Sequence, residues 1–159
     1  MAKRIPLTQG KNATVDDKDY DRLSQFKWHA IVDGDRIYAG RNIQIGDEYR
    51  VIKMHRDIMG DPEEVVVDHV DLNGLNNRRN NLRKCTIAQN TAHTRGHKKK
   101  GRTSKYKGVY RRSCGWGAQI SINGRTNNLG TYHYEKDAAK AYNEAARKRF
   151  GKFAVLNNV

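Results

Sequence analysis

Cysteine is scarce in this chain. Among its 159 residues only Cys85 and Cys114 are present, far apart in sequence. There is no Cys-x-x-Cys pair, so the paired-thiolate zinc site of zinc ribbons and related modules is excluded. Two free thiols suit a reducing compartment rather than a secreted domain held together by disulfides. We therefore expect a cytoplasmic protein.

Long apolar runs are also missing. The N-terminal segment MAKRIPLTQGK lacks the apolar core of a secretory signal, and no stretch approaches the length of a membrane span. The length fits one or two small domains. The sequence thus predicts a soluble chain with no membrane partner.

Acidic residues are depleted in the second half of the chain. Residues 1–95 carry 16 Lys and Arg against 14 Asp and Glu, whereas residues 96–159 carry 15 against 3. The formal net charge of +14 therefore resides almost entirely in the second part. Such an uneven distribution predicts that the second part meets a polyanion. A generic basic surface that serves only solubility fits this division poorly.

The stretch VVVDHVDLNGLNNRRNNLRKCTIAQN, residues 65–90, is the most informative in the chain. Residues 64–67 favour a strand because they contain a β-branched run. Asn73-Gly74 supplies the residues of a tight turn, and residues 82–85 can return as a second strand. Thr86 is placed to cap a helix that carries Asn90. The pattern predicts strand, loop, strand and helix.

This order places Asp68 and His69 at a strand end facing Asn90 on the helix. Such a cluster can hold a hard metal through two oxygens and leave an imidazole beside it. Taken singly, these residues have plainer interpretations, because an Asn-rich loop is usually only a turn and a lone His at a strand end is usually structural. Their joint occurrence in a basic chain favours an active site.

The spacing of Asp68-His69, Asn81-Leu82 and Asn90 resembles the HNH nuclease family, in the variant whose last motif residue is Asn. The surrounding NGLNNRRNNLR is similar to phage and homing members, and the resemblance runs from residue 54 to residue 93. It implies a ββα-metal fold that cleaves DNA with one divalent cation.

Roles follow from that resemblance. His69 would be the general base, while Asp68 and Asn90 would bind Mg²⁺, or another divalent cation such as Mn²⁺. Asn81 belongs to the catalytic set, where we expect it to tie the loop to the strand and hold His69 in orientation. Asp71 is a possible additional ligand, although a turn or capping role is the better interpretation. His55 and His93 are expected to be structural or to contact phosphate.

The flanking segments have simpler patterns. Residues 4–60 predict a small, mostly β module that ends in a helix from Met54 to Met59. Residues 94–105 contain no large apolar residue and predict a basic linker that contacts phosphates. Its cationic side chains are Arg95, Lys98, Lys99, Lys100, Arg102 and Lys105.

Residues 106–157 show their own periodicity. Trp116, Ala118, Ile120 and Ile122 alternate with polar residues, and Asn123-Gly124 is a hairpin turn. A helical stripe of apolar residues follows, up to a glycine that ends the helix. The pattern predicts a three-stranded antiparallel sheet with one face covered by a helix and the other face polar and basic.

The pattern YKGV…W.A.I…LGTY…AA.AY..AA…G..A.LN resembles the plant ethylene-response-factor (apetala-type) DNA-binding domain, from Tyr106 to Asn157. That family lays its sheet in the DNA major groove. Plant members often have Arg or Trp where this chain has Tyr110, Cys114, Ser121, Thr126 and Asn128, so the resemblance does not carry over the plant target sequence. The resemblance places DNA contacts at Lys107, Tyr110, Arg112, Cys114, Gln119, Ser121, Thr126, Asn128, Thr131 and Tyr142.

Together these patterns predict an α+β chain in three parts. Residues 1–93 would form a β-rich module leading into the ββα nuclease core, residues 94–105 a linker, and residues 106–159 the DNA-binding domain. The expected function is site-directed hydrolysis of double-stranded DNA by a monomer, with no small-molecule substrate. The alternatives are a DNA-binding transcriptional regulator with an inactive nuclease domain and, less consistent with a groove-sized sheet, an RNA-binding protein.

Overall fold

A computed structural model of the chain describes residues 1–94 and 103–159. These residues contain four α-helices and four small sheets of two or three antiparallel strands. They divide into two compact units, Met1–Cys85 and Thr86–Val159. Most of the predicted basic linker falls on residues 95–102, which lie outside the described residues.

The first unit is built from short strands. Its elements, in chain order, are β1 (Ala2–Pro6), β2 (Asn12–Asp16), α1 (Asp17–Ser24), β3 (His29–Asp33), β4 (Arg36–Ile45), β5 (Glu48–Lys53), α2 (Met54–Ile58), β6 (Val66–His69) and β7 (Leu82–Cys85). Three sheets result, with the strand orders β1-β2, β3-β4-β5 and β6-β7.

The core of the first unit follows from alternation in these strands. Ile5 on β1 and both Ala13 and Val15 on β2 are buried, and they pack with Leu23 of α1 and Met54 of α2. The expected mostly β opening module and the helix that follows it are confirmed. Helix α1 contributes to this core through Leu23 near its end, which is fully buried.

The second unit begins with a short helix. Its elements are α3 (Ile87–Ala92), β8 (Val109–Arg112), β9 (Gly115–Ile122), β10 (Arg125–Tyr132) and α4 (Glu135–Phe150). The three strands form one antiparallel sheet in the order β10-β9-β8. The predicted three-stranded sheet followed by a helix is therefore present.

Packing in the second unit follows the predicted periodicity. Ala118 and Ile120 of β9 are buried against Ala139 and Ala146 of α4, whose small side chains let the helix approach the sheet. The β9–β10 turn is Asn123-Gly124, with φ values of 50° and 78°, which suits the left-handed conformation that a tight hairpin requires. Helix α4 covers one face of the sheet and does not pack on the other face.

Helix α3 groups with the second unit, whereas the sequence analysis placed residues up to 93 with the first. The predicted placement of Asp68 and His69 facing Asn90 of this helix, and the predicted domain boundaries, stay predictions. Across residues 1–94 and 103–159, no helix has both the length and the apolar character needed to cross a membrane.

Candidate functional site

The β6-β7 hairpin carries the polar cluster that the sequence singled out. Asp68 pairs with Arg83 across the two strands, and His69 pairs with Leu82. Asp68 and His69 are almost fully buried, with exposures of 4% and 5%. Buried polar groups require partners, so the contacts of these two side chains define what the site can do.

Asp68 forms an ion pair with Arg83. Both the Nε and the Nη2 of Arg83 lie close to the Asp68 Oδ2, at 2.9 Å and 2.8 Å. From the sequence, Asp68 was predicted only to bind a metal, and Arg83 had no predicted role. A cation at Asp68 would therefore share this carboxylate with the guanidinium.

His69 is oriented by Asn77, a residue that the sequence analysis missed. The His69 Nε2 lies 3.3 Å from the Asn77 Oδ1, and the Asn77 side-chain amide donates to the carbonyl of Gly74 at 3.5 Å. An amide oxygen can only accept, so the Nε2 of His69 carries the proton in this arrangement. Its Nδ1 then keeps a lone pair, and a general base needs such a lone pair to accept a proton.

Burial controls the protonation of His69. Desolvation lowers the pKa of His69 from its ordinary value, and the hydrogen bond to Asn77 opposes this only in part. The imidazole is therefore neutral at physiological pH. A neutral imidazole with a free Nδ1 can accept a proton from water.

The loop between the two strands is fastened by Asn81 and Asp71. The Asn81 side chain accepts from the backbone N–H of Asp71 at 3.0 Å and donates to the Asp71 carboxylate at 2.9 Å. Asp71 also accepts from Asn73 and Asn76. Burial alone would raise the pKa of Asp71, but these hydrogen bonds outweigh it and lower the pKa. Asn81 thus holds the loop, and Asp71 serves as a turn residue.

Two further rings surround His69. The ring of His55, on α2, lies edge-on to that of His69 with the centroids 4.8 Å apart. The ring of Tyr38, on β4, lies 5.7 Å from His55 and 6.0 Å from His69. Burial, followed by the neighbouring His69 and Lys53, lowers the pKa of His55 to about 3. Both imidazoles are therefore uncharged.

Asn90 lies on helix α3 of the second unit, where it is half-buried. The start of this helix is fixed by a capping box in which Thr86 accepts from the backbone of Gln89 and the Gln89 side chain accepts from the backbone of Thr86. The predicted N-cap at Thr86 is thus confirmed. The cap sets the orientation of the turn that carries Asn90.

The donor set determines which metal could bind. Within residues 1–94 and 103–159, no group of three His, Cys, Asp or Glu side chains is placed to hold a metal ion. A cation at Asp68 would depend on amide oxygens, water and substrate phosphate in addition to the carboxylate. That is a set of hard oxygen ligands, which suits Mg²⁺ better than zinc.

Seven of the predicted DNA contacts share the sheet face that α4 leaves uncovered. Strand register places Thr126 opposite Ser121 and Asn128 opposite Gln119. The Arg112 side chain donates to the Thr131 hydroxyl at 3.0 Å. The complete set on this face is Tyr110, Arg112, Gln119, Ser121, Thr126, Asn128 and Thr131.

The other predicted contacts have different surroundings. Tyr142 has only 4% exposure, in the core between α4 and the sheet, and burial raises the pKa of its hydroxyl to about 12. The Lys107 ammonium donates to the carbonyl oxygens of Ala92 and Thr94, at 2.7 Å and 2.6 Å. Lys107 therefore binds the C-terminal end of helix α3. Cys114 is exposed in the turn between β8 and β9.

The polar cluster lies in a part of the chain that is similar to known proteins. Residues 60–92, which include Asp68, His69, Asn81 and Asn90, match the HNH endonuclease family. An uncharacterized HNH endonuclease of Acanthamoeba polyphaga mimivirus is 36% identical over 99 residues, which is 62% of this chain and 50% of that protein. The chain thus spans about half the length of this curated relative. The similarity to HNH endonucleases thus rests on residues 60–92 and on this relative.

Proposed function

We propose that the chain is an endonuclease that hydrolyses phosphodiester bonds of double-stranded DNA, with His69 as its general base. The observation that carries this proposal is the state of His69: a buried, neutral imidazole whose Nε2 proton is held by Asn77. This imidazole lies within the residues that match the HNH family.

The chemistry would proceed as follows. The His69 Nδ1 takes a proton from a water molecule as the water oxygen attacks the phosphorus atom. The bond from phosphorus to the 3′ oxygen breaks, and the leaving oxygen takes a proton from solvent, so the products are a 5′-phosphate and a 3′-hydroxyl. Asp68 and Asn90 would hold Mg²⁺ or Mn²⁺, which would stabilise the charge on the leaving oxygen. Asn77 and Asn81 keep the base and its loop in place.

We also propose that the sheet face of the second unit binds DNA, in line with its likeness to the ethylene-response-factor domain. The seven side chains on that face are polar or cationic, and a sheet of this width fits the major groove. Action as a monomer in the cytoplasm is part of this proposal. Lys107 and Tyr142 contribute to it less directly, because other groups of the chain already bind or bury them.

A second candidate is a DNA-binding regulator with an inactive nuclease domain. The ion pair between Arg83 and Asp68 favours it, because the guanidinium competes for the carboxylate that would bind the metal. The two candidates differ in whether added Mg²⁺ produces cleavage.

The test of nuclease activity uses the full chain and supercoiled duplex DNA. We expect Mg²⁺-dependent conversion to relaxed or linear DNA, and no conversion in the presence of a chelator. His69→Ala should slow cleavage by roughly 10²–10⁴-fold, which is the usual contribution of a general base. His133→Ala, at an exposed histidine of the second unit, is the matched control and should cleave normally. Cleavage by His69→Ala at the wild-type rate would exclude His69 as the base.

Metal binding is tested separately by titration. Asp68→Ala and Asn90→Ala should each raise the Mg²⁺ concentration needed for half-maximal cleavage, and Asp68→Ala should raise it more because it removes a charge. An unchanged Mg²⁺ requirement in both variants would refute the assigned ligands.

Replacement of Arg112 tests the sheet face. If Arg112 contacts phosphate, Arg112→Ala should reduce the slope of log affinity against log salt by about 0.9. If Arg112 reaches a base edge, the loss should instead differ between DNA sequences, by roughly 1–3 kcal/mol. Arg147→Ala, on the exposed side of α4, is the control. Equal effects of the two changes would argue against binding through this face.

A further inference from the structure

Eight of the 15 cationic side chains of the first unit form ion pairs with six aspartates. Each of these eight side chains has an aspartate partner, and six of these contacts are 3.0 Å or shorter. The eight are Lys3, Arg22, Arg41, Arg50, Arg56, Arg78, Arg79 and Arg83. Paired cations of this kind contribute little net charge to the attraction of a polyanion.

Arg36 and Lys53 differ from this set. Among the described residues, neither makes an ion pair with a carboxylate, and both meet Tyr38 instead. The Arg36 Nη1 donates to the Tyr38 hydroxyl at 3.4 Å, and the Lys53 Nζ lies 5.0 Å from the centre of the Tyr38 ring. Strand register puts these residues on one face of the β3-β4-β5 sheet. Arg36, Tyr38 and Gly40 occupy every second position of β4, and Gly40 pairs with Lys53 on β5.

This face adjoins the histidine pair. The centroid of the Tyr38 ring is within 6.0 Å of those of His55 and His69. Only the Tyr38 ring therefore separates the two cations that contact it from the proposed base. Two cations that make no ion pair among the described residues therefore lie beside the two histidines.

His55 gives a second indication that a polar group binds beside His69. Its Nδ1 is buried and has no hydrogen-bond partner among the described residues, although buried polar atoms are almost always paired. An unsatisfied polar atom next to a proposed base is the kind of feature that functional sites retain. Helix α2 places His55 two residues after Lys53, so the atom and the charge come from the same strand-to-helix junction.

We propose that Arg36 and Lys53, held on the ring of Tyr38, bind the phosphate backbone of DNA beside His69. This inference rests on the proposed nuclease function and deepens it, because it extends the substrate site to residues 36–55, which precede the residues that match the HNH family. Two cations held on a ring that lies 6.0 Å from the His69 ring can offset the negative charge of a phosphodiester there.

The test replaces each cation and follows both binding and cleavage by the full chain. Arg36→Gln and Lys53→Met should each lower kcat/KM by roughly tenfold or more. Each should also reduce the slope of log DNA affinity against log salt by about 0.9, the value for one lost phosphate contact. Arg4→Gln and Lys11→Met are matched controls, since both residues are exposed cations of the first unit without an ion pair among the described residues. The controls should leave cleavage and slope close to wild type.

Charge-conserving variants separate binding from folding. Arg36→Lys and Lys53→Arg should keep most of the salt slope. Loss of slope in these variants equal to that in Arg36→Gln and Lys53→Met would overturn the inference, because it would point to disrupted packing around Tyr38. Equal effects of the site variants and the controls would also overturn it.

The inference and the nuclease proposal can fail independently. If the wild-type chain binds DNA without cleaving it, the nuclease proposal fails, while the salt slopes of the variants still test the phosphate contacts. If the chain cleaves DNA and the slopes of Arg36→Gln and Lys53→Met equal the wild-type slope, only the phosphate contacts are refuted.

Discussion

Lys107 offers the sharpest test of how the second unit is held together. Its ammonium donates to the carbonyl oxygens of Ala92 and Thr94 at the end of helix α3. Its backbone is fixed in turn by Asn157, whose side chain accepts from the N–H of Lys107 at 2.7 Å and donates to its carbonyl at 3.0 Å. A helix of six residues is marginal by itself, so it depends on such contacts. We expect Lys107→Met to loosen α3.

The size of the effect follows from these contacts. The substitution keeps most of the apolar stem and removes both hydrogen bonds, and a buried acceptor left without a donor costs about 1–3 kcal/mol. Relief from burying an ammonium returns part of this, since burial already lowers the pKa of Lys107 to about 8. We expect a net local loss of about 1–3 kcal/mol, which corresponds to roughly 5- to 150-fold faster amide exchange in residues 86–94.

Hydrogen exchange read by mass spectrometry measures this change, with peptides from α1 as an internal reference. Lys136→Met, at an exposed lysine of α4, is the matched control and should leave α3 unchanged. Unaltered exchange of residues 86–94 in Lys107→Met would refute the capping role. A fall of about 0.9 in the salt slope of DNA binding beyond that of the control would support the DNA contact predicted from sequence instead.

Three further predictions concern single residues. Asn77→Ala should lower the cleavage rate more than the affinity for DNA, because it frees the ring of His69, and steady-state kinetics separates the two effects; a change in affinity alone would contradict this role. Gly108→Ala should destabilise the second unit, because Gly108 has a φ of +75° and a Cβ there would overlap the Tyr142 ring; an unchanged melting temperature would argue against it. The pKa of Lys107 is lower in the folded chain than in the unfolded one, so the unfolded state binds more protons between about pH 8 and pH 10.5. The stability of the wild type relative to Lys107→Met should therefore rise with pH over that range. A fall of this relative stability in denaturant titrations would contradict the prediction.

In the first unit, short-range patterns were predictable and long-range pairings were not. The β-branched run before Asp68 and the turn residues after it predicted strands that the structure contains. Asn77 could not be selected from sequence, because six asparagines occupy residues 73–90 and only the fold shows which one meets His69. The approach of Tyr38 to His69 joins residues 31 positions apart and has no local signal.

In the second unit, the periodicity of the sequence predicted the sheet but not the groups that each side chain contacts. Alternation along β9 predicted which residues face α4, and strand register follows from the Asn123-Gly124 turn. The resemblance to a DNA-binding family assigned Lys107 by its position in a motif, although its ammonium binds α3 in this chain. That contact depends on residues 92 and 94, which lie outside the motif.

The two cysteines differ in a way that has a practical consequence. Cys85 is buried on β7, and burial raises the pKa of its thiol to about 11, whereas Cys114 is exposed at the β8–β9 turn. Since thiolates react with alkylating reagents and thiols scarcely do, one equivalent of reagent at neutral pH will modify Cys114 and spare Cys85. The native chain can thus carry a single fluorophore at the end of its sheet, next to Arg112. Changes in the emission of that fluorophore would report DNA docking at this end without any engineered residue.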